Sequence, residues 1–490
     1  MTNATIPAGY KQTEVGIIPE DWEVKSLGDV ASFGGGTTPS RSQQEKYFAN
    51  GVFLWVKTTD LNNSYIYETE EKVTQSAMSE TCLTLHPSET ILVAMYGGLN
   101  QIGRTGLLLS PATINQALSA VIPNDKLIVS HYALHYLNFK VDYWKSVASS
   151  SRKDPNITSN DIKSFPIILP SIKEQTAIAI VLSDVDALIA SLNAQIAKKR
   201  DIKTATMQQL LTGKQRLAGF GEGKGMKSSE LGEIPEDWEV VPLSELIRQL
   251  IAGVSVNSID SDDYDEETSA ILKTSAVYNG RFFPQESKKI SATDIKRAKI
   301  NPHANSIIVS RMNTPSLVGE CGYVDKSYPF LFVPDRLWSI YLRSEKTNVK
   351  WLVLLLGYSK FHLAIKEIAT GTSGSMKNIA KPAFLALSVF CPPSEEQAAI
   401  AGVLSAMDED IAALEQRLAK TKAMKQGMMQ ELLTGRTRLV VGSTKPSPFD
   451  LYEQTKRENF VHSSRLEGIH MPMQKPETSL ADVLAKYRAA

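Results

Sequence analysis

Residues 11–27 read KQTEVGIIPEDWEVKSL, and residues 227–243 read KSSELGEIPEDWEVVPL. Eleven of these seventeen positions are identical, and Trp238 follows Trp22 by 216 residues. The register persists inward: Lys57-Thr58-Thr59 aligns with Lys273-Thr274-Ser275, and Ile91-Leu92-Val93 with Ile307-Ile308-Val309. Further along the offset grows to 222. There EQTAIAIVLSDVDALI (174–189) pairs with EQAAIAGVLSAMDEDI (396–411), and LLTGKQRL (210–217) with LLTGRTRL (432–439). A period above 200 residues marks a duplicated domain pair and not a solenoid. Whatever the first half builds, the second must build again. The ends of each half agree, while residues 30–150 and 245–370 diverge. That pattern fits one scaffold carrying two different recognition surfaces.

The divergent regions read as mixed α/β. Short β-rich runs, VFLWV (52–56), TILVAMY (90–96) and SIIVSRM (306–312), lie between Gly, Pro and Asn turns. A helix is expected in each half, near His131–Tyr143 and Asn348–Ile368. The shared regions differ: no Pro or Gly occurs from Lys173 to Leu211. Val181, Val185, Ile189, Leu192 and Ile196 form an apolar stripe close to a heptad seam, repeated by Val403, Met407, Ile411, Leu414 and Leu418. Pro170 and Pro392-Pro393 precede these helices, and Gly213 and Gly435 stand where a C-terminal cap belongs. A helix of about 39 residues is about 58 Å long at 1.5 Å per residue. Two such helices with matching stripes most simply pack on each other. The alternative is that each packs on its own domain. Residues 193–216 carry six basic groups against one acid, and residues 415–438 six against two. Either a solvated face or contact with phosphate or an acidic partner accounts for them.

The chain has 490 residues, enough for two to four domains, with Lys+Arg and Asp+Glu both 53. Neutrality excludes a polybasic binder but leaves room for a local basic face. Cys82, Cys321 and Cys391 are far apart and form no zinc spacing, which fits a reducing cytoplasm. The polar N-terminus carries no signal peptide, and the most apolar stretches, such as Trp351–Gly357, look too short to span a bilayer.

No catalytic pattern emerges. GFGEGKG (219–225) fails the phosphate-loop spacing at Ala218 and Gly225, and reads as a flexible linker. His131 and His135 lack the glutamate of a zinc-protease helix, since position 132 is Tyr, and read as helix surface or core. Cys391-Pro392-Pro393-Ser394 does not match an amino-methyltransferase loop. Pro334-Asp335 with Glu345 and Lys346 lacks a nuclease strand. The expectation is no catalytic residue and no metal.

IPEDWEV opening each half, IGRTG (102–106), INQAL (114–118), RMNTPSLVG (311–319), PDRLW (334–338) and the helices running from EQ to LLTG resemble Type I restriction-modification specificity subunits. The resemblance spans about residues 10–440. It implies two target-recognition domains separated by two long helices in an antiparallel coiled coil, with an internal pseudo-two-fold repeat. The expected segments are recognition domain 1 (1–170), a central long helix (171–216), a linker (217–226), recognition domain 2 (227–392), a C-terminal long helix (393–440), and a linker and tail (441–490). Each domain would read one half of a split asymmetric duplex DNA target. The helices would set the spacer and dock two methyltransferase subunits, with motor-nuclease subunits joining. S-adenosylmethionine, ATP and magnesium would belong to those partners, not to this chain. A non-catalytic assembly scaffold is the alternative.

Base readout calls for Arg, Lys, Asn, Gln, Ser or Thr at groove edges, whereas phosphate contacts position. In the first half the candidates are Lys57, Thr58, Thr59, Asn100, Gln101 and Arg104, with Arg152, Lys153 and Asn156 in the loop SSSRKDPNIT. In the second half they are Lys273, Thr274, Ser275, Arg311, Asn313, Arg336, Lys377 and Asn378. Tyr96 and Trp338 read as core.

After Leu439 the repeat ends, and the remainder has no counterpart in the first half. Ser463, Glu467 and Gly468 match the Ser-x-x-x-Glu-Gly pattern of the inhibitory helix in antitoxins of Fic-domain AMP-transferases. On a helix, Ser463 and Glu467 share a face. That resemblance implies a Fic-domain toxin as a partner of the tail. A plain C-terminal extension is the alternative.

Overall fold

The computed structural model describes residues 6–98, 100–148, 156–260, 267–343, 346–371 and 376–439. The chain divides into two compact units: Met1–Ser191 with Leu418–Ala490, and Leu192–Arg417. The two long helices, Ile172–Leu210 and Ser394–Leu432, have 39 residues each and contribute a part to each unit.

The first unit is built on a five-stranded sheet, in the order Ala31–Gly34, Leu118–Pro123, Ile91–Ala94, Thr105–Leu108, Ser64–Ile66. The last pair is parallel and the others antiparallel. The second unit repeats that order with Ile247–Ala252, Leu337–Leu342, Ser306–Ser310, Cys321–Val324 and Gly280–Phe282, then adds the edge strand Val277–Tyr278. Even turn chemistry repeats: Asn63 and Asn279, 216 apart, hold φ of 59° and 49° respectively before the parallel strand. Asparagine tolerates that left-handed region better than most side chains.

A smaller sheet follows the same plan in both units. Phe53–Val56 runs parallel to Thr113–Ile114 and antiparallel to Lys72–Val73. Ala270–Leu272 runs parallel to Leu331–Phe332 and antiparallel to Ser287–Ile290. Strands were expected at all three β-rich runs and are present. Each expected divergent-region helix is instead two. Ser130–Phe139 breaks at Lys140 before Val141–Val147, and Val349–Gly357 breaks at Tyr358 before Ser359–Glu367. At the second break Tyr358 is extended (φ −65°, ψ 134°), which no α-helix accommodates.

The long helices do both things their stripes allowed. Ile178 and Leu182 are buried in the core of the first unit, and Ile400 and Leu404 in that of the second. Farther along, the helices pair antiparallel. In the second unit Lys203 meets Asp408 at 2.7 Å, Lys199 meets Asp410 at 2.8 Å and Arg200 meets Glu415 at 2.6 Å. In the first unit Lys425 meets Asp186 at 2.6 Å. The seam is shifted by one residue at its start: Val403 is 37% exposed while Leu404 is buried. Four of the six basic groups in 193–216 (Lys199, Arg200, Lys203, Arg216) are spent on carboxylates of the same unit, which corrects the free-basic-face reading for them.

The first long helix also corrects the view that no apolar stretch could span a bilayer. By length and composition it could, with a mean hydropathy of 1.7 over its best window. Its Ile178 and Leu182 are core residues and its Asp186 is ion-paired, as in a helix packed within protein.

Each unit is closed by an arginine from the far end of the other repeat. Arg438 donates to Glu174 at 2.7 and 2.8 Å and to Asp21 at 2.9 and 2.8 Å. Its guanidinium lies 5.3 Å from the Trp22 ring, and the Trp22 indole N–H donates to Glu174 at 3.2 Å. In the second unit Arg216 does the same to Glu396 and Asp237, and the Trp238 indole N–H reaches Glu396 at 2.8 Å. The Asp and Trp of EDW, the glutamate of EQ and the arginine of LLTG-x-x-R are thus the three parts of one clasp. GFGEGKG lies wholly in the second unit. Gly221 packs on Arg216 and the Gly225 N–H donates to Glu236, so it is a folded turn and not a loose linker.

Candidate nucleic-acid interface

In both units the loops at one sheet edge are stitched together by backbone hydrogen bonds. In the first unit Gly34 pairs with Ala120 and Ala94 with Leu118, so residues 35–38, 95–98, 100–104 and 115–117 emerge together. The Thr37 N–H donates to Ile114 at 3.0 Å, that of Asn115 to Val56 at 3.0 Å, that of Met95 to Ala117 at 2.9 Å and that of Ile157 to Met95 at 3.1 Å. Thr38 bonds the Gln116 side chain. The edge therefore gathers five separate chain segments.

Most first-half candidates lie there. Asn100, Gln101 and Arg104 occupy the turn that joins two sheet strands, with Asn100 exposed and Arg104 bonding its carbonyl at 3.2 Å. Asn156 precedes the bond from Ile157. Lys57, Thr58 and Thr59 lead into a short 3-10 turn, with Thr59 exposed. Lys57 is only partly exposed and bonds Glu70 at 2.8 Å and Glu71 at 3.2 Å. Burial alone would lower its pKa. The two carboxylates outweigh that and hold the ammonium above the ordinary lysine value. Arg152 and Lys153 lie outside the described residues.

The second unit gathers the equivalent segments. The Gly253 N–H donates to Pro334, Ser255 bonds Asp335 at 2.8 Å, and the Arg311 N–H donates to the Arg336 carbonyl at 3.1 Å. Met312–Asn313 pairs with Lys377–Ile379 in a three-stranded ribbon. Arg311, Asn313, Arg336, Lys377 and Asn378 thus come together. Lys273, Thr274 and Ser275 leave a strand parallel to Leu331–Phe332, which leads into Pro334. Arg336 and Ser275 are exposed, with Ser275 donating to Glu286 at 2.6 Å. Asn313 is 7% exposed, and its amide is spent on Ser310 and Thr314, so its place is in the frame of the edge.

Two aromatic expectations separate. Trp338 is core, at 2% exposed, whereas Tyr96 is 45% exposed on the edge itself. Residues missed from sequence include Thr37, Thr38, Gln116, Ser255 and Asp335. The signal for them was a glycine pair. A Cβ on Gly36 would meet the carbonyls of Asn115 and Ile114, and one on Gly253 the carbonyl of Val333. Only glycine lets these loops approach so closely.

The two edges carry cations at different positions. The backbone bonds equate Arg311 with Met95, Arg336 with Ala117 and Asn378 with Asn156. Three cations, Arg311, Arg336 and Lys377, crowd the second edge, and neither of the two arginine positions is cationic in the first. Among the described residues no cluster of His, Cys, Asp and Glu could hold a metal ion. The candidate tail residues Ser463, Glu467 and Gly468 lie outside the described residues.

The Type I restriction modification DNA specificity domain family matches the chain twice, at residues 19–199 and 235–423. A second family, YhfG, matches residues 450–489. The MjaVIII specificity subunit of a Type I restriction enzyme from Methanocaldococcus jannaschii is 26% identical over 428 residues, covering 86% of this chain and 94% of that protein. The MjaIX specificity subunit of the same organism is 32% identical over 248 residues, covering 49% and 54%. The crystal structure of a Type-I restriction-modification system S subunit from M. genitalium has the same fold, with a TM-score of 0.53, 13% identity and 84% and 96% coverage.

Proposed function

The chain belongs to the family of Type I restriction-modification DNA specificity subunits, and we propose that each of its units reads one half of a split, asymmetric DNA target. As a specificity subunit it is non-catalytic. Two equivalent loop edges with different side chains on a common frame carry this reading, because different surfaces should select different half-sites. Arg336, Lys377 and Lys273 supply phosphate contacts in the second unit, with Arg104, Asn100 and Gln101 serving the first. Phosphate contacts position the duplex, and base-edge contacts select it.

The helix pair serves as the spacer and as docking surface for two methyltransferase subunits, with motor-nuclease subunits joining them. S-adenosylmethionine, ATP and magnesium act in those partners. A helix of this length exceeds one DNA turn of roughly 34–36 Å, so it can separate two half-sites by about that much. Recognition domains at 1–170 and 227–392, helices at 171–216 and 393–440, the connection at 217–226 and the tail at 441–490 are the working division. A cytoplasmic place accords with three free cysteines.

The test is binding of the assembled complex to duplexes over a salt series. Binding that needs both half-sites and falls steeply with salt supports the reading, because phosphate contacts release counterions. Assembly with partners but no preference among duplexes would leave a scaffold. A second role is assigned to the tail, where the separate YhfG match begins at residue 450. Ser463, Glu467 and Gly468 would there neutralise a Fic-domain AMP-transferase. Deleting residues 443–490 should abolish protection from that toxin and leave DNA specificity intact. Altered methylation specificity would refute the tail role.

A further inference from the structure

One arginine of the second edge is held unlike its neighbours. Arg311 directly follows the strand Ser306–Ser310. Its N–H donates to Arg336 at 3.1 Å, and its carbonyl accepts from the Ile379 N–H at 2.9 Å, so its backbone is fixed on both sides. Its Nε donates to Oδ1 of Asn378 at 3.3 Å, and its guanidinium carbon lies 5.6 Å from the ring of buried Trp338. Asn378 is itself fixed by ladder pairing with Met312 and Thr370. The plane of the guanidinium is therefore set by an amide at one edge and an indole at its side. Its Nη groups find no acceptor among the described residues. Among the described residues Arg336 and Lys377 have no comparable brace.

A planar fork with two free donors matches guanine, which presents O6 and N7 as paired acceptors in the major groove. Adenine offers a donor at the O6 position and would clash in polarity. Bracing matters because an arginine that is already oriented loses less side-chain entropy on binding. In the first unit the equivalent position is Met95, which can make no such contact.

Resting on the specificity reading above, we infer that Arg311 selects a guanine in the half-site of the second unit, with Asn378 and Trp338 as positioning residues and no counterpart in the first unit. The test maps methylated adenines made by the full chain with its methyltransferase, comparing wild type with Arg311→Gln and Arg311→Lys. One G·C pair in one half-site should cease to be required. Discrimination there should fall roughly 5- to 150-fold, matching the 1–3 kcal/mol of a bidentate contact. The other half-site and the spacer should stay unchanged, which also shows that the variant folds and assembles. Asn378→Ala should relax the same position more weakly, and Asn378→Asp, which keeps an acceptor for Nε, should restore it. Replacing that guanine with 7-deazaguanine should weaken binding of wild type but not of Arg311→Gln.

An unchanged motif with Arg311→Gln, relaxation at an A·T pair, or equal weakening of both half-sites by Arg311→Lys would overturn the inference and leave the specificity reading standing. Absence of any split motif with wild type would instead overturn both.

Discussion

Replacing Arg216 with alanine should destabilise the second unit more than any other single charge removal described above. Glu396 is fully buried, and with Arg216 gone its one remaining side-chain partner among the described residues is the Trp238 indole. Removing one member of a buried ion pair costs about 3–5 kcal/mol, because the other charge stays desolvated. For a unit of this size each kcal/mol lowers Tm by about 2–4 °C, so the loss is about 6–20 °C. Arg438→Ala should cost less, since the Arg438 side chain is 31% exposed against 14% for Arg216, and water can replace part of what it gives. Calorimetry measures the shift, and hydrogen exchange should rise first in residues 234–241 and 394–400. Adding Glu396→Gln to Arg216→Ala should recover part of the loss, because the stranded charge is removed. The deficit should also shrink in acid. The hydrogen bond from Arg216 holds the Asp237 carboxyl below its ordinary pKa. Its stabilisation is therefore present above the ordinary carboxylate range and lost as pH falls through the lower folded value. A shift under about 3 °C for Arg216→Ala, or further destabilisation by Glu396→Gln in that background, would refute the reasoning.

Other perturbations give equally definite outcomes. Burial, helped by the charges of Lys425 and His131, pushes the pKa of His135 down to about 3. The unfolded chain takes up a proton that the native state refuses, so stability is full above about pH 6.5 and falls by about 1.4 kcal/mol per unit below it. Val129 and Asn348 bond equivalent glutamines, which makes Leu354 the second unit's equivalent of His135. His135→Leu should therefore remove that part of the pH dependence in urea unfolding, and equal slopes for both proteins would contradict the assignment. Gly36→Ala and Gly253→Ala should each cost about 1–3 kcal/mol by overpacking and weaken DNA binding, whereas a neutral result in thermal melts would deny the close backbone approach. Lys199→Ala, at an exposed helix–helix pair, should cost less than about 1 kcal/mol. A larger loss in the same melts would mean that this pair holds the helices together.

What sequence could reveal followed from period and locality. The repeat, the two long helices and the central strands show themselves through spacing that neighbouring residues share. Tyr358 breaks an expected helix just after Gly357, a local stop signal set between two apolar helical runs. The lysines of the first long helix looked free because their carboxylates lie more than 200 positions away. The clasp was invisible for the same reason, although its three parts, EDW, EQ and LLTG-x-x-R, stood out as repeated strings. Tyr96, which reads as core from the sequence, sits two residues past a fully buried strand. The glycines that follow it, Gly97 and Gly98, both at positive φ, turn the chain out of the sheet instead. At the loop edge, Arg311, Arg336 and Asn378 were each suspected singly, but their convergence required the ladder between Met312 and Asn378.

The central claim is that two loop edges on a duplicated frame read two different half-sites. Genome-wide mapping of methylated adenines, in cells that hold the neighbouring methyltransferase with and without this chain, tests it most directly. A split asymmetric motif, methylated only when the chain is present, is the predicted result. No chain-dependent motif, with the methyltransferase shown to be active and assembled with the chain, would contradict it.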